Sequence, residues 1–130
     1  KYTQPQKKKS NYQSTTNVKM VKMVASDAEF DEIMKGAGDK AIIVDFTASW
    51  CGPCQFIGPK FAELAEQNSG SDKVIFLKVD VDECEETAAK CGISAMPTFK
   101  VFKNNSTDAV EEMVGANEAK LRELVAKYAQ

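Results

Sequence analysis

Ala41-Ile42-Ile43-Val44-Asp45-Phe46-Thr47-Ala48-Ser49-Trp50-Cys51-Gly52-Pro53-Cys54 is the stretch on which the reading of this chain turns. Ala41 to Thr47 is β-branched and apolar at nearly every position except Asp45, the composition of a central strand covered on both faces by helices. From Cys51 to about Asn68 the pattern changes, and Ile57, Phe61, Leu64 and Ala65 recur at helical spacing. The two cysteines therefore fall on the first turn of a helix that directly follows a buried strand. A helix start aims unpaired N–H groups and the positive end of the dipole at the first sulfur, which favours thiolate over thiol. The second sulfur is one turn away, near enough to close a ring. Cys51 is the expected nucleophile toward a disulfide, and Cys54 is expected to resolve the mixed disulfide that results. Pro59 interrupts the helix and predicts a kink.

Asp45 stands among Ile42, Ile43, Val44 and Phe46, where an ionised carboxylate costs several kcal/mol if left unpaired. Burial raises the pKa of such a group. A proton acceptor near neutrality beneath the CxxC helix is what Cys54 needs to become a nucleophile, directly or through a water. The competing reading is an aspartate that faces solvent at a strand end.

Working outward, Val18 to Val24 predicts a strand, and Ser26-x-x-Glu29 a capping box that opens a helix with Phe30, Ile33 and Met34 on one face, ended by Gly36 and Gly38. Val74 to Val81 is a second buried strand. Asp82-x-x-Glu85 resembles a capping box for a short helix that runs to about Lys90 and stops at Gly92. Met96-Pro97 precedes a strand from Thr98 to Lys103, and Asn104-Asn105-Ser106 supplies turn chemistry for a hairpin into Ala109 to Val114. Gly115 breaks that strand, and Asn117 caps a last helix with Leu121, Leu124, Val125 and Tyr128 at i, i+3, i+4 and i+7. Strands joined by helical crossovers are expected to lie parallel, with only the last pair antiparallel. The fold class is α/β, a three-layer α/β/α domain around a mixed sheet with a C-terminal antiparallel hairpin, over residues 18–130.

Composition narrows the chemistry. The chain has 130 residues, enough for one domain, and a hydrophobic fraction of 43% with no apolar run near membrane length, so neither a second domain nor a membrane span is expected. Residues 1–19 carry five lysines and no acid, whereas residues 20–130 carry 12 basic and 19 acidic side chains, a net charge of −7. An acidic body argues against nucleic acid as a partner. There is no histidine, which removes Cys-His and Ser-His catalysis and every His-containing metal site. Four cysteines are too few for a disulfide scaffold and suggest a reducing compartment.

Residues 1–17 read as a disordered, solvated Lys-rich arm. Three origins stay open for it: vector sequence, a processing remnant or a natural extension. With Lys and Ser but no Arg and no apolar segment, the arm fits no targeting class well. The expected compartment is the cytoplasm, or an organelle if the arm is what a cleaved targeting peptide left behind.

Asp45-Phe46-x-Ala48-x-Trp50-Cys51-Gly52-Pro53-Cys54, followed by Met96-Pro97-Thr98-Phe99 and Gly115, is similar to the thioredoxin family over roughly residues 20–130. The resemblance implies a protein disulfide reductase, a thiol-disulfide oxidoreductase without a bound cofactor or metal. Its electrons come from a thioredoxin reductase and its substrates are disulfide-containing proteins. Gly52-Pro53 between the cysteines points to the reducing branch of the family. It further implies that Lys78 neighbours Asp45 and moderates its charge, that Pro97 is cis and packs beside the active disulfide, and that the Met96 backbone pairs with an extended substrate segment. Gly115 would leave room for that segment. From the residues alone, Pro97 reads as a strand-start proline, Gly115 as a strand terminator, and Trp50 as either a contact rim or core. Two positions depart from the commonest pattern: Gln55 stands where Lys is frequent, and Thr47 where many bacterial members carry Trp.

Cys84 and Cys91 lie seven residues apart, about 10 Å along a helix axis, too far to bond in an intact helix. Some animal members have extra cysteines in this helix linked to regulatory oxidation, so an inhibitory disulfide that unwinds the helix is one reading; two inert buried side chains is the other. A zinc site shared with Cys51 and Cys54 is disfavoured by the spacing. Ala95 occupies the place before Met-Pro where such members often have another cysteine, which excludes a disulfide-linked dimer through it. A monomer is expected.

Overall fold

The computed structural model describes residues 21–130. The arm and residues 18–20 of the first predicted strand lie outside the described residues. Among the described residues nine elements follow in order: β1 (Lys22–Met23), α1 (Asp27–Gly36), β2 (Ala41–Thr47), α2 (Gly52–Gln67), β3 (Val74–Asp80), α3 (Glu85–Lys90), β4 (Thr98–Phe102), β5 (Glu111–Val114) and α4 (Glu118–Ala129). They build one five-stranded mixed sheet in the order β1-β3-β2-β4-β5, so the strand quoted first occupies its centre. All seven residues of β2 are buried.

Strand parity sorts the core into two halves. Ala41 and Ile43 of β2 pack with Val74, Phe76, Phe99 and Val101 against Ile57 and Phe61 of α2 and Leu121 and Val125 of α4. Ile42, Val44 and Phe46 face the other way, onto Phe30 and Met34 of α1 and the two cysteines flanking α3. Asp45 shares the parity of Ala41 and Ile43, which places it on the α2 face, beneath the CxxC helix.

One expectation about direction is overturned. β2 pairs with β3 in parallel, but β4 runs antiparallel to β2, with Phe46 opposite Thr98, although a helix connects β3 to β4. The reason lies in length. α3 has six residues and advances about 9 Å, whereas the seven residues of β3 span about 23 Å. Too short to return the chain to the far end of the sheet, α3 leaves it at the end where β2 and β3 finish, and β4 must run back from there.

A second correction concerns the cap of α3. Cys84, not Asp82, occupies the N-cap position, and it makes no side-chain cap bond. Asp82 is engaged elsewhere, as described below. Ser26 does cap α1, with Oγ accepting from Glu29 N at 3.1 Å, while Glu29 Oε1 accepts from Ala25 N, one residue before the position a standard capping box uses. The hairpin turn carries two left-handed residues, Asn104 at φ 59° and Asn105 at φ 55°, the conformation a type I′ turn demands and asparagine tolerates. Asn117 caps α4 through Lys120 N at 3.0 Å.

Candidate active site

The site forms where β2 ends and α2 begins. Cys51 is the N-cap of α2, and its Sγ accepts from Cys54 N at 3.2 Å. That amide is one of the orphan donors of a helix start, so the first sulfur sits where a developing negative charge is stabilised. Pro53 stands in the first turn, where its missing N–H costs nothing. Cys51 and Cys54 are joined in a disulfide, with Cα atoms 5.3 Å apart. Both are buried, whereas Gly52 and Pro53 between them are exposed. Pro59 lies inside α2, which continues through it to Gln67.

Asp45 is 1% exposed, and its Oδ1 has no hydrogen-bond partner within the described residues. Desolvation lifts its pKa to about 7, against the opposing pull of the Lys78 ammonium. The pairing is built into the sheet, since Asp45 and Lys78 are register partners on β2 and β3. Gly58 on α2 covers Lys78 so closely that a Cβ there would stand 3.3 Å from Nζ. Thr47, Cys54, Gly58, Pro59, Lys78 and Asp80 line a common cleft of about 310 Å³, room for several waters beside Cys54 and Lys78.

The opposite wall comes from the far side of the sequence. The Met96-Pro97 bond is cis, and the Met96 carbonyl oxygen lies 3.7 Å from Cys51 Sγ. Met96 and Val81 pack against Ala48, Cys51 and Cys54. Gly115, at φ 103°, donates its N–H to the Pro97 carbonyl at 2.9 Å, and that backbone angle is one that side-chain-bearing residues rarely adopt. Trp50, 68% exposed, rims the site, so the reading of it as core is set aside. Its Nε1–H donates to Asp82 Oδ2 at 3.0 Å.

The structure therefore brings together Asp45, Trp50, Cys51, Gly52, Pro53, Cys54, Lys78, Met96 and Pro97, with Gly115 bonded to Pro97. Cys84 and Cys91 stand apart from them. They flank α3 as its N-cap and C-cap, are buried, and are free thiols. Cys84 Sγ donates to the Val24 carbonyl at 3.8 Å. Burial pushes the Cys84 thiol up, and it pushes Cys91 to about 11 although Lys100 and Lys90 pull the other way. Among the described residues no group of three or more Cys, Asp or Glu is placed to hold a metal ion, and no helix is long and apolar enough to cross a membrane.

Three neighbours of the site were not singled out from the sequence. Asp82 was read as a helix cap because it precedes Glu85 by three. Gly58 carries a signal in the sequence, a glycine beside a proline inside a helical pattern. Gln55, noted only as a departure, donates through Nε2 to the Ser49 carbonyl at 2.9 Å and ties down the loop that holds Trp50.

The thioredoxin family model matches residues 20–127. The chain belongs to the thioredoxin family. It is 52% identical over 109 residues to the thioredoxin of Geodia cydonium, covering 83% of this chain and 98% of that one. To human thioredoxin it is 48% identical over 102 residues, 78% of this chain and 92% of the other. Among solved structures, Malassezia sympodialis thioredoxin superposes with a TM-score of 0.78 at 38% identity, covering 92% of this chain and all of that one. Spinach chloroplast thioredoxin F, short form, gives a TM-score of 0.76 at 38% identity, with 90% and 100% covered. With its CxxC pair bridged at the expected spacing, this thioredoxin-family chain is a dithiol-disulfide oxidoreductase whose redox group is its own disulfide.

Proposed function

We propose that the chain works as a monomeric, cytoplasmic protein disulfide reductase, recharged by a thioredoxin reductase and acting on disulfide-containing proteins. What supports this reading above all is the stacking of a bridged Cys51-Cys54 pair at a helix start over a buried carboxylate whose pKa lies at about 7. In the reduced form the Cys51 thiolate attacks one sulfur of the substrate disulfide. One substrate sulfur leaves as thiolate, and the other stays bonded to Cys51. Cys54 loses its proton to Asp45 through water in the adjoining cleft and attacks Cys51 Sγ. The Cys51-Cys54 disulfide closes, and the second substrate thiol departs, so two electrons have passed to the substrate.

Trp50, Met96, Pro97 and Gly115 form the docking rim, on which an extended substrate segment adds by main-chain hydrogen bonds. Such bonds tolerate many sequences and suit a reductase of broad range. Lys78 keeps the Asp45 carboxylate from rising further. Gly52 and Pro53 are exposed between the two buried cysteines, so the bridge lies directly beneath the surface. Two free thiols elsewhere in the same molecule favour a reducing compartment, hence the cytoplasm. In a coupled assay with NADPH, thioredoxin reductase and insulin, the wild-type chain should precipitate insulin and Cys51→Ser should not. A Cys51→Ser variant as active as wild type would sink the reading.

A further inference from the structure

α3 lacks a cap of its own, and the structure supplies one from another helix. Asp27, the first residue of α1, accepts through Oδ1 from Thr87 N at 2.8 Å and from Thr87 Oγ1 at 2.6 Å. Thr87 is the third residue of α3, so its amide is one of the donors that a helix start leaves unpaired. A side chain sixty residues away thus performs the work of an N-cap. The carboxyl of Asp27 is held below its ordinary pKa, chiefly by these Thr87 bonds. The other end of α3 is fastened as well, because Lys100 Nζ, on β4, donates to the Cys91 carbonyl at 2.6 Å. Lys100 is in turn oriented by Glu112 at 3.1 Å.

Both ends of α3 lead straight into the docking rim. On its N-terminal side, Asp82 takes the Trp50 indole N–H, and Val81 packs on the cysteines. On its C-terminal side the chain runs from Cys91 through five residues to the cis Met96-Pro97 bond, with Thr98 Oγ1 donating to the Ala95 carbonyl at 2.7 Å. One six-residue helix therefore connects Trp50 on one side of Cys51 to Met96 on the other.

We propose that Asp27 is a positioning residue for substrate docking: as a cap supplied in trans to α3, it fixes the spacing between Trp50 and Met96 across Cys51 without touching either. The proposal rests on the reading of Trp50, Met96 and Pro97 as the docking rim. Losing the cap loosens α3 and widens the distribution of rim geometries. Binding of a protein disulfide, which spans the rim, weakens, while exchange with a small aromatic disulfide, which needs only Cys51, does not. Because the recognition uses a hydrogen-bond acceptor and not a charge, asparagine should replace Asp27 and alanine should not.

The test measures KM and kcat for insulin reduction, alongside the rate with dithionitrobenzoate, for wild type, Asp27→Ala and Asp27→Asn. Far-ultraviolet circular dichroism serves as a folding control, and alkylation of Cys84 by iodoacetamide reports opening of α3. Asp27→Ala should raise the insulin KM roughly threefold to tenfold, speed Cys84 alkylation, and leave kcat and the dithionitrobenzoate rate within about twofold of wild type, a KM effect of the size expected for one lost cap. Asp27→Asn should return both the insulin KM and the Cys84 alkylation rate to wild-type values. An unchanged KM in Asp27→Ala, equal damage in Asp27→Asn, or a matching loss with dithionitrobenzoate would overturn the proposal. If Asp27→Ala does not fold, Thr87→Val and Lys100→Met each remove one fastening of α3, and the same KM shift is required of both. Failure of the wild-type protein to reduce insulin would instead count against the docking-rim reading on which the proposal stands.

Discussion

The molecule carries two cysteine pairs, and their surroundings differ in almost everything that governs the reactivity of a thiol. Cys51 and Cys54 lie three apart at the start of a sixteen-residue helix, share a bond, and stand over an aspartate that titrates near neutrality. Cys84 and Cys91 lie seven apart at opposite ends of a six-residue helix, make no bond, and are driven toward the thiol form by burial. All four are buried, so burial alone does not set reactivity. What differs is the direction each sulfur faces. Cys51 receives a helix-start amide, whereas Cys84 donates its proton to a carbonyl.

The largest expected effect breaks the contrast outright. Cys51→Ser should lower insulin reduction roughly a thousandfold or more, while Cys84→Ser and Cys91→Ser should each stay within about twofold of wild type. Comparable losses in all three would mean that the second pair belongs to the reaction.

The next effect is on stability. Asp45 has a folded pKa of about 7 against an ordinary 3.8, so the folded state binds a proton more tightly than the unfolded chain does. The sign follows: the contribution of Asp45 to stability is fully present below about pH 4, is lost as pH rises from about 4 to 7, and is absent above 7. Three units correspond to about 4 kcal/mol at most. Asp45→Asn should therefore stabilise the oxidised protein at pH 8 by up to about 4 kcal/mol in urea titrations and flatten this pH dependence, at the expense of slower mixed-disulfide resolution. A variant that is less stable than wild type at pH 8 would contradict the burial argument.

Third in size is the reactivity of the second pair. With a pKa of about 11, Cys91 holds roughly one thiolate per thousand at pH 8, against roughly one in four for an ordinary thiol. Iodoacetamide with mass-spectrometric readout should label reduced Cys51 first and Cys91 more than a hundredfold more slowly; equal labelling would erase the distinction. The smallest effect should come from Trp50→Phe, which loses the Asp82 hydrogen bond at an exposed rim and should cost about 1 kcal/mol or less of stability.

The first cysteine pair was legible from the sequence and the second only partly, for the same physical reason. The strand-loop-helix pattern from Ala41 to Cys54 is local: periodicity, a proline at the helix start and a lone aspartate in an apolar run all act within a few residues. The disposition of α3 is not local. Its cap comes from Asp27, its C-terminal fastening from Lys100, and the aspartate that looked like its cap is taken by Trp50, thirty-two residues earlier. The reversal of β4 was missed because the crossover rule presumes a helix long enough to span the sheet. Asp45 was correctly placed beneath α2 because strand parity is strict. Its partner Lys78 came from family resemblance, since pairing across two strands leaves no mark in either strand alone.

The shortness of α3 has a bearing on where this chain tolerates change. An extra helical turn there would carry β4 away from its start beside Phe46 and take Met96 with it, so Cys51 would face open solvent. A graft or an added peptide is far better placed at the Asn104-Asn105 turn, an exposed loop tip at the opposite end of β4 from Pro97.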